Sequence, residues 1–387
     1  MDSSMSRTRI PVYTNRKGKG VTEGEKCGAF IMCRNRPASD VERAKSRGAV
    51  RSAMARVLFS ASMDAERRAV VAAKAPGAFD PVILEDVPST QQAAAWESAE
   101  VLVCTGFGSE LPPDLASRAP RLRMIQVLVA GVDHMPFDRL PRGAVVCGNA
   151  GAYNVSVAEH AMALLLAAAK DVPARTDEIR RGIFDQAVMN KGLAGSTVLI
   201  LGFGGVGAEV ARRCKAFQMH VIGISRSPKS DSVADETGRL ADVLRFLPTA
   251  DFVVLTVPLT RETVGLVDRA FLASMKPDAV LVNVARGKLI VEDDLFDHLR
   301  TLPAFRAALD VWWTYPESKR GRPFHRPFHE LPNVVMTPHV AWAIPTQRRE
   351  AMEAAVDNVL RFLRGETPRN VVRPEEYVRP PAKEGSR

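Results

Sequence analysis

The sequence has few cysteines and no long apolar run. Its five cysteines form no CxxC pair and have no histidine companions at the spacing of a zinc site. We therefore expect no metal, and we expect reduced core thiols in a cytoplasmic protein. The longest apolar stretch, residues 161–169, is well below the roughly 18 residues that span a bilayer. It predicts a buried helix and no membrane association.

Basic residues are in clear excess over acidic residues only at the amino terminus. Residues 1–53 hold twelve Lys and Arg against five acidic residues, so the rest of the chain is nearly neutral despite a net charge of +9. This uneven distribution predicts no nucleic-acid partner. Met54 runs directly into an apolar strand pattern, so residues 1–53 read as a basic, disordered extension or a segment upstream of the true start. A targeting segment is less favoured, because the apolar core of a secretory signal is missing.

From Met54 onward, short apolar runs alternate with helical patterns, which predicts a parallel α/β architecture. A first series of strands is predicted at residues 56–60, 81–84, 101–105, 124–127 and 145–147. One long amphipathic helix over about 155–180 follows and crosses between domains. A second series of six strands is predicted at residues 197–201, 220–224, 252–256, 279–283, 306–310 and 334–337.

These patterns predict an α/β fold with two domains. One domain is discontinuous, made of residues 54–154 and 345–373, because a last helix over about 344–364 returns to it. The other, residues 155–344, is a Rossmann dinucleotide-binding domain with a parallel sheet. A Pro-rich tail, residues 374–387, follows.

A glycine-rich turn follows the first strand of the second series. Three glycines fit the fingerprint GxGxxG, in which they allow a tight turn, close approach of the pyrophosphate and close helix packing. The phosphates would bind at the helix amino terminus. The residues of this turn predicted to bind the cofactor are Gly202, Gly204, Gly205, Val206 and Gly207.

The end of the next strand favours NADP over NAD. An acid at this position would accept hydrogen bonds from the ribose hydroxyls and repel a 2′-phosphate. The sequence has Ser225, Arg226, Ser227 and Lys229 instead, and two cations with two hydroxyls suit a 2′-phosphate. A solvated basic turn is the alternative interpretation.

Arg286 and His339 complete a minimal catalytic site. Arg286 follows the fourth strand and His339 follows the sixth, and ligands bind at the carboxyl ends of such strands. An arginine can bind a carboxylate through paired hydrogen bonds, and a histidine can exchange the hydroxyl proton during hydride transfer to nicotinamide.

In this order, the motifs resemble the D-2-hydroxyacid dehydrogenase family, which includes glyoxylate and hydroxypyruvate reductases, phosphoglycerate dehydrogenases and formate dehydrogenases. The resemblance covers about residues 54–372. It implies a flavodoxin-like substrate domain beside the Rossmann domain, an active site between them, and a homodimer. It also implies a substrate site at Val129, Ala130, Gly131, Asn154 and Arg286, and further cofactor contacts at Val257, Pro258, Thr263, Val284, Ala285, Asp310, His339 and Ala341.

The chain departs from the family at the partner of the catalytic histidine. The family has a Glu five residues after the Asp that corresponds to Asp310, where this sequence has Tyr315. Either Tyr315 hydrogen-bonds His339 or Glu317 reaches it by another loop path. Thr256 and Trp342 also stand where many relatives have His and Gly. Trp342, with Trp312 and Trp313, either narrows the pocket or packs in the core.

The resemblance implies reduction of a small 2-oxo acid, or oxidation of the matching 2-hydroxy acid. The turn after the second strand favours NADPH as the cofactor, with NADH as the alternative. Two other functions remain open. One is hydride transfer without proton transfer, as in formate oxidation, which the missing Glu would suit. The other is a dinucleotide-dependent binding module similar to the C-terminal-binding corepressors, but retention of both Arg286 and His339 argues against it.

Overall fold

Two parallel β-sheets organise the chain, in a computed structural model that describes residues 54–227, 233–316 and 320–377. The first sheet contains β1 to β5, at Arg56–Phe59, Asp80–Ile83, Val101–Cys104, Met124–Val127 and Val145–Cys147. The second sheet contains β6 to β12, at Thr197–Leu201, His220–Ser225, Glu236–Arg239, Phe252–Leu255, Val280–Asn283, Arg306–Leu309 and Val334–Met336.

Helices lie between these strands and cover both sheets. They are α1 to α10, at Ala65–Lys74, Gln92–Ser98, Leu115–Arg118, Asn154–Ala169, Val172–Arg180, Gly205–Ala216, Val243–Phe246, Arg269–Ala273, Glu292–Thr301 and Gln347–Leu363. Local chemistry sets several boundaries. The Asp64 and Asp268 side chains, for example, accept hydrogen bonds from the free amides at the starts of α1 and α8.

The first sheet has the strand order β2-β1-β3-β4-β5, with every pairing parallel. This is the flavodoxin-like order, which the resemblance implied. Both central strands, β3 and β4, are buried on both faces, as expected for strands covered by helices on each side. All five predicted strands are confirmed to within a residue or so at their ends.

The second sheet has the order β12-β11-β10-β9-β6-β7-β8, also parallel. Its order reverses between β6 and β9, and the carboxyl ends of strands at such a switch point form a ligand crevice. The prediction of six strands was wrong, because β8 adds a seventh at the edge. Its sequence, ETGR, has no apolar pattern, and only Gly238 in it is buried.

The predicted helix over 155–180 is in fact two helices, so that prediction was wrong. α4 ends at Ala169 and α5 begins at Val172. Asp171 between them has a φ of 52°, in the left-handed region that interrupts a helix. Pro173 in the first turn of α5 has no amide hydrogen to continue the bonding of α4.

The last helix, α10, packs against the first sheet. Met352, Ala355, Val356 and Val359 join the apolar core formed with β1, β3 and α1. Asn358, buried in the same helix, donates a 2.7 Å hydrogen bond to the Gln126 side chain of β4. The chain thus returns to the first sheet as the sequence pattern predicts.

Beyond α10 the chain follows the edge of the first sheet. Val371 pairs with Cys147 in an antiparallel bridge, and the Val372 amide donates to the Val146 carbonyl at 2.8 Å. A short 3₁₀ turn, Pro374–Glu376, comes next. The first four residues of the predicted tail are therefore ordered in a turn, while the rest of the tail and the extension 1–53 lie outside the described residues. Within the described ranges, no helix is long and apolar enough to cross a membrane.

Candidate active site

The glycine-rich turn joins β6 to α6 at the switch point. Gly202 has a φ of 111°, and a Cβ there would lie 2.5 Å from the Val257 amide nitrogen. A Cβ on Gly207 would lie 2.4 Å from the Gly202 carbonyl oxygen. The Thr256 hydroxyl donates to that same carbonyl at 2.8 Å. Thr256 thus holds the turn in place, and the turn requires glycine at both positions.

Open space lies in front of α6. A Cβ on Gly204 would meet no atom within 4 Å, and Gly204 immediately precedes the first helical turn, whose amides are free. Gly205 is different, because a Cβ there would lie 2.3 Å from the Asn154 side-chain nitrogen at the start of α4. Val206 packs against the core behind the turn. The open space can admit a dinucleotide pyrophosphate, and the free amides and the helix dipole favour its negative charge.

A pocket lies beside this turn, at the ends of β6, β7 and β9. It is lined by five of the residues predicted to bind the cofactor, namely Ser225, Arg226, Val257, Pro258 and Thr263. Leu201, Ile224 and Leu240 add apolar surface, and Glu262 adds a carboxylate. An apolar pocket with a polar rim suits an adenosine group. Ser227 is exposed just beyond Arg226, and Lys229 lies outside the described residues.

Arg286 reaches from the end of β10 to the loop after β4. Its Nε donates to Asp133 at 2.9 Å, and its Nη1 donates to the Ala285 carbonyl at 2.8 Å. The Nη2 group lies over Gly131, where a Cβ would be only 1.7 Å away. Arg286 is thus fixed above the loop that contains Val129, Ala130 and Gly131. The structure brings these predicted substrate residues together.

Two buried asparagines shape the loops on either side of this contact. Asn283, at the end of β10, donates to the Arg286 carbonyl at 2.8 Å and accepts from the Ala285 amide at 3.0 Å. Asn149 donates to the Leu128 carbonyl and to the Ala351 carbonyl of α10. Both loops are therefore held by buried side chains, whose hydrogen bonds are costly to break.

His339 follows β12 with a φ of 58°, an uncommon backbone conformation for a residue other than glycine. Asp310, which is fully buried, holds this segment. Its carboxylate accepts from the Thr337 hydroxyl at 2.6 Å and from the Val340 and Ala341 amides at 3.0 Å. These bonds flank His339 on both sides and support its backbone conformation.

The environment of His339 favours the neutral imidazole. Burial lowers the pKa of His339, and the positive charge of Arg286 lowers it further. The carboxylates of Asp310 and Asp133 act in the opposite direction. Because Arg286 affects His339 in this way, the two predicted catalytic residues share one electrostatic environment.

Tyr315 lies beside His339, with ring centroids 5.4 Å apart and an angle of 48° between the planes. Its hydroxyl accepts a long hydrogen bond of 3.4 Å from the Trp312 amide. The contact between Tyr315 and His339 is thus a ring contact, and Tyr315 adds no charge. Glu317, the other predicted partner of His339, lies outside the described residues.

Two of the three tryptophans take the predicted packing role. Trp312 and Trp313 pack in the core, and their indole nitrogens donate to the Thr337 and Ile290 carbonyls at 2.9 and 2.8 Å. Trp342 is 38% exposed, and it directly follows Ala341, whose amide donates to Asp310. Of the remaining predicted cofactor residues, Val284 is buried and Ala285 half-buried at the end of β10, beside Arg286.

Three residues of the site were not predicted. Asp133 is the partner of Arg286. His160 of α4 contacts the Thr337 hydroxyl at 3.0 Å and the Asp310 carboxylate at 3.4 Å. Glu376 forms a 2.8 Å ion pair with Arg226. Each joins segments far apart in sequence, so no local spacing could reveal it.

We predict that the pKa of His339 lies below the ordinary value of about 6.5. Arg286→Gln should raise it by removing a nearby positive charge, although burial keeps it low. The measurement is an NMR titration of the imidazole resonances.

Lys288→Gln is the matched control, because it removes an exposed positive charge from the same turn and should leave the His339 titration unchanged. A wild-type pKa at or above 6.5, or equal effects of both variants, would contradict this account of the site's electrostatics.

Residues 162–341 match the family model described as "D-isomer specific 2-hydroxyacid dehydrogenase, NAD binding domain". D-3-phosphoglycerate dehydrogenase of Methanocaldococcus jannaschii is 34% identical over 280 residues, which are 71% of this chain and 52% of that protein. The chain thus spans about half the length of that relative. Glyoxylate reductase of Pyrococcus furiosus is 31% identical over 303 residues, which are 75% of this chain and 87% of the relative.

A solved structure shows the same architecture. It is the NADPH-dependent glyoxylate/hydroxypyruvate reductase of Sinorhizobium meliloti, in complex with NADP and sulfate. The TM-score is 0.70 and the sequence identity 27%, and the match covers 84% of this chain and all of the other.

Proposed function

The chain belongs to the D-isomer specific 2-hydroxyacid dehydrogenase family, as its motifs predict, and from this premise we propose that it reduces a small 2-oxo acid such as glyoxylate or hydroxypyruvate with NADPH. It is an NAD(P)-dependent oxidoreductase acting on a CH–OH group. The observation that carries the substrate proposal is the placement of Arg286 over Gly131, with His339 in the same electrostatic environment.

Arg286 binds and orients the substrate in this proposal. Its Nε and Nη1 are occupied by Asp133 and the Ala285 carbonyl, while Nη2 faces the loop of Val129, Ala130 and Gly131. A carboxylate bound between the guanidinium and this loop's amides would be held at two points. Asp133 prevents Arg286 from moving, so that little ordering is needed when the substrate binds.

His339 moves the proton. When bound, the nicotinamide supplies or accepts the hydride. Protonated His339 gives its proton to the carbonyl oxygen in reduction, and neutral His339 takes it from the hydroxyl in oxidation. Because the pKa of His339 is lowered, the protonated fraction falls at lower pH than for an ordinary histidine. Reduction should therefore slow as pH rises through that lowered pKa.

Several features favour a small substrate and NADPH. Tyr315 places an aromatic ring beside His339, which reduces the room for a long substrate. Ser225 and Arg226 line the adenosine pocket at the end of β7, where a 2′-phosphate would bind. The related reductase from Sinorhizobium meliloti binds NADP. In this proposal, the turn of Gly202, Gly204 and Gly207 binds the cofactor phosphates. Asp310 supports the backbone of His339.

We also propose that residues 54–154 with 345–373 form the substrate domain and residues 155–344 the cofactor domain. The strands of each sheet fall within these limits, and α10 packs on the first sheet. Hydrogen exchange should show protection by NADPH mainly within 155–344. Protection confined to 54–154 would contradict this division.

We further propose a cytoplasmic homodimer. The segment from α5 onward exposes large apolar side chains that a second copy could cover, namely Val172, Ile179, Ile183, Phe184 and Met189. Buried free thiols at Cys104, Cys147 and Cys214 suit a reducing compartment. Light scattering should give the mass of two chains, and a monomer would contradict the proposed dimer. Cell fractionation should find the protein in the cytosol, and a secreted product would contradict the proposed location.

The proposed activity is tested by following the absorbance of NADPH with glyoxylate, hydroxypyruvate and pyruvate as substrates. At least one should be reduced, faster with NADPH than with NADH. His339→Ala should lower kcat by about 10²- to 10⁴-fold, because the proton donor is lost.

His325→Ala is the control, since it removes an exposed histidine outside the site and should keep nearly full activity. Tight binding of NADPH without turnover of any substrate would contradict the proposal and favour a binding module. Turnover of formate alone would favour hydride transfer without proton transfer.

The substitution Tyr315→Glu tests the role of the altered partner. A carboxylate beside the imidazole raises the pKa of His339, so the alkaline limb of the reduction profile should move up by about one pH unit. Tyr315→Gln changes size and polarity similarly without adding charge, and should leave the limb in place. Profiles of kcat/KM against pH that coincide for the two variants would overturn the proton-transfer role.

A further inference from the structure

Arg226 is paired with a carboxylate from the far end of the chain. The Glu376 carboxylate accepts a 2.8 Å hydrogen bond from the Arg226 guanidinium. The Arg226 side chain is 64% exposed, whereas that of Glu376 is 22% exposed. Glu376 is thus the better fixed partner. The pair lies at the end of β7, at the rim of the adenosine pocket.

The position of Glu376 is set by several backbone contacts. Val371 and Val372 pair with β5 at the edge of the first sheet, and the turn Pro374–Glu376 follows directly. The Glu376 carbonyl accepts from the Arg261 amide at 3.1 Å, which ties the turn to the loop after β9. Glu376 therefore reaches the cofactor domain on a segment anchored at both sides.

Tyr377 anchors the next position. Its ring stacks on Phe137 of the first domain, with centroids 5.5 Å apart. Burial raises the pKa of the Tyr377 hydroxyl, and the charges of Glu376 and Asp133 contribute to this rise. The C-terminal segment thus lies within the electrostatic environment of both Arg226 and the Arg286–Asp133 pair. Its contacts to both domains hold the Glu376 carboxylate beside Arg226.

We propose that Glu376 determines how strongly the enzyme prefers NADPH over NADH. This inference rests on the proposed function. A Rossmann domain that uses NAD has an acid at the end of its second strand, where this chain has Ser225, Arg226 and Ser227. Glu376 supplies a carboxylate at that place from 150 residues further along the chain.

The electrostatics act in opposite directions on the two cofactors. A 2′-phosphate that binds Arg226 must replace or share its partner, and it is repelled by the negative charge of Glu376. A 2′-hydroxyl carries no charge and can donate to the same carboxylate. Glu376 therefore weakens NADPH binding relative to NADH binding, and the enzyme accepts both. Arg226 alone would give a stronger preference for NADPH.

The test is calorimetric binding of adenosine 2′,5′-bisphosphate and of 5′-AMP, which differ only in the 2′-phosphate. Glu376→Gln should tighten binding of the bisphosphate by about two- to fivefold, the range expected for an exposed ion pair, and leave or slightly weaken 5′-AMP binding. NADPH and NADH dissociation constants should change in the same directions.

Glu375→Gln is the matched control. It removes one negative charge from the neighbouring, exposed position of the same turn, and should leave both affinities within about twofold. In an Arg226→Gln background, Glu376→Gln should still favour the bisphosphate, but by a smaller factor, because only direct repulsion remains.

The outcomes separate the inference from the proposed function. If the wild-type protein binds neither NADPH nor NADH, both fail. If it binds them and Glu376→Gln leaves the ratio of bisphosphate to 5′-AMP affinity unchanged, or matches Glu375→Gln, only the role of Glu376 is overturned. Circular dichroism and thermal unfolding of each variant show whether the substitution has altered the fold.

Discussion

The ion pair between Arg286 and Asp133 is the interaction on which the candidate site depends. Arg286 belongs to the second sheet and Asp133 to the loop after β4 in the first. Because both groups are half-buried, each needs the other as a partner when water is displaced. The pair therefore fixes the guanidinium above Gly131. The two sheets present their carboxyl edges to each other, and this contact sets where a substrate carboxylate could bind.

Asp310 plays the corresponding part for His339. Its side chain is fully buried, and its carboxylate accepts three hydrogen bonds from the segment between Thr337 and Ala341. His160 adds a contact from α4, so the helix between the two sheets in chain order also reaches the site. Burial lowers the pKa of His339, and the positive charge of Arg286 lowers it further. In the proposed mechanism, His339 remains the proton donor, and its neighbour Tyr315 contributes a ring contact in place of a carboxylate.

Much of the fold follows from local sequence patterns. The strands other than β8 are rich in apolar residues, as expected for sheets covered by helices on both faces. The glycine turn could also be predicted, since backbone conformation and close contacts demand glycine there. β8 could not, because it is held by its ladder with β7 and has little apolar content. The break at Asp171 follows from its left-handed backbone conformation, which the sequence does not reveal, and Pro173 is the one local signal of a new helix start.

Only those site residues that lie in a recognisable sequence motif could be predicted. Arg286 and His339 stand in recognisable segments at strand ends, but their partners do not. Asp133, His160 and Glu376 act through contacts between segments separated by roughly 150 residues, and such contacts exist only once the chain has folded. Glu376 lies in what the sequence presents as a Pro-rich tail, and its pairing with β5 and Arg261 gives it a fixed position.

The most direct test of the account is the kinetics of Gly131→Ala, because a methyl group there would occupy the place of the Arg286 guanidinium. The account predicts a loss of about 100-fold or more in kcat/KM for the 2-oxo acid, with the NADPH dissociation constant unchanged. Gly192→Ala, at a position with no neighbour within 4 Å, should retain full activity. If Gly131→Ala also retained full activity, Arg286 would not be held above Gly131 during catalysis, and the central claim would be contradicted.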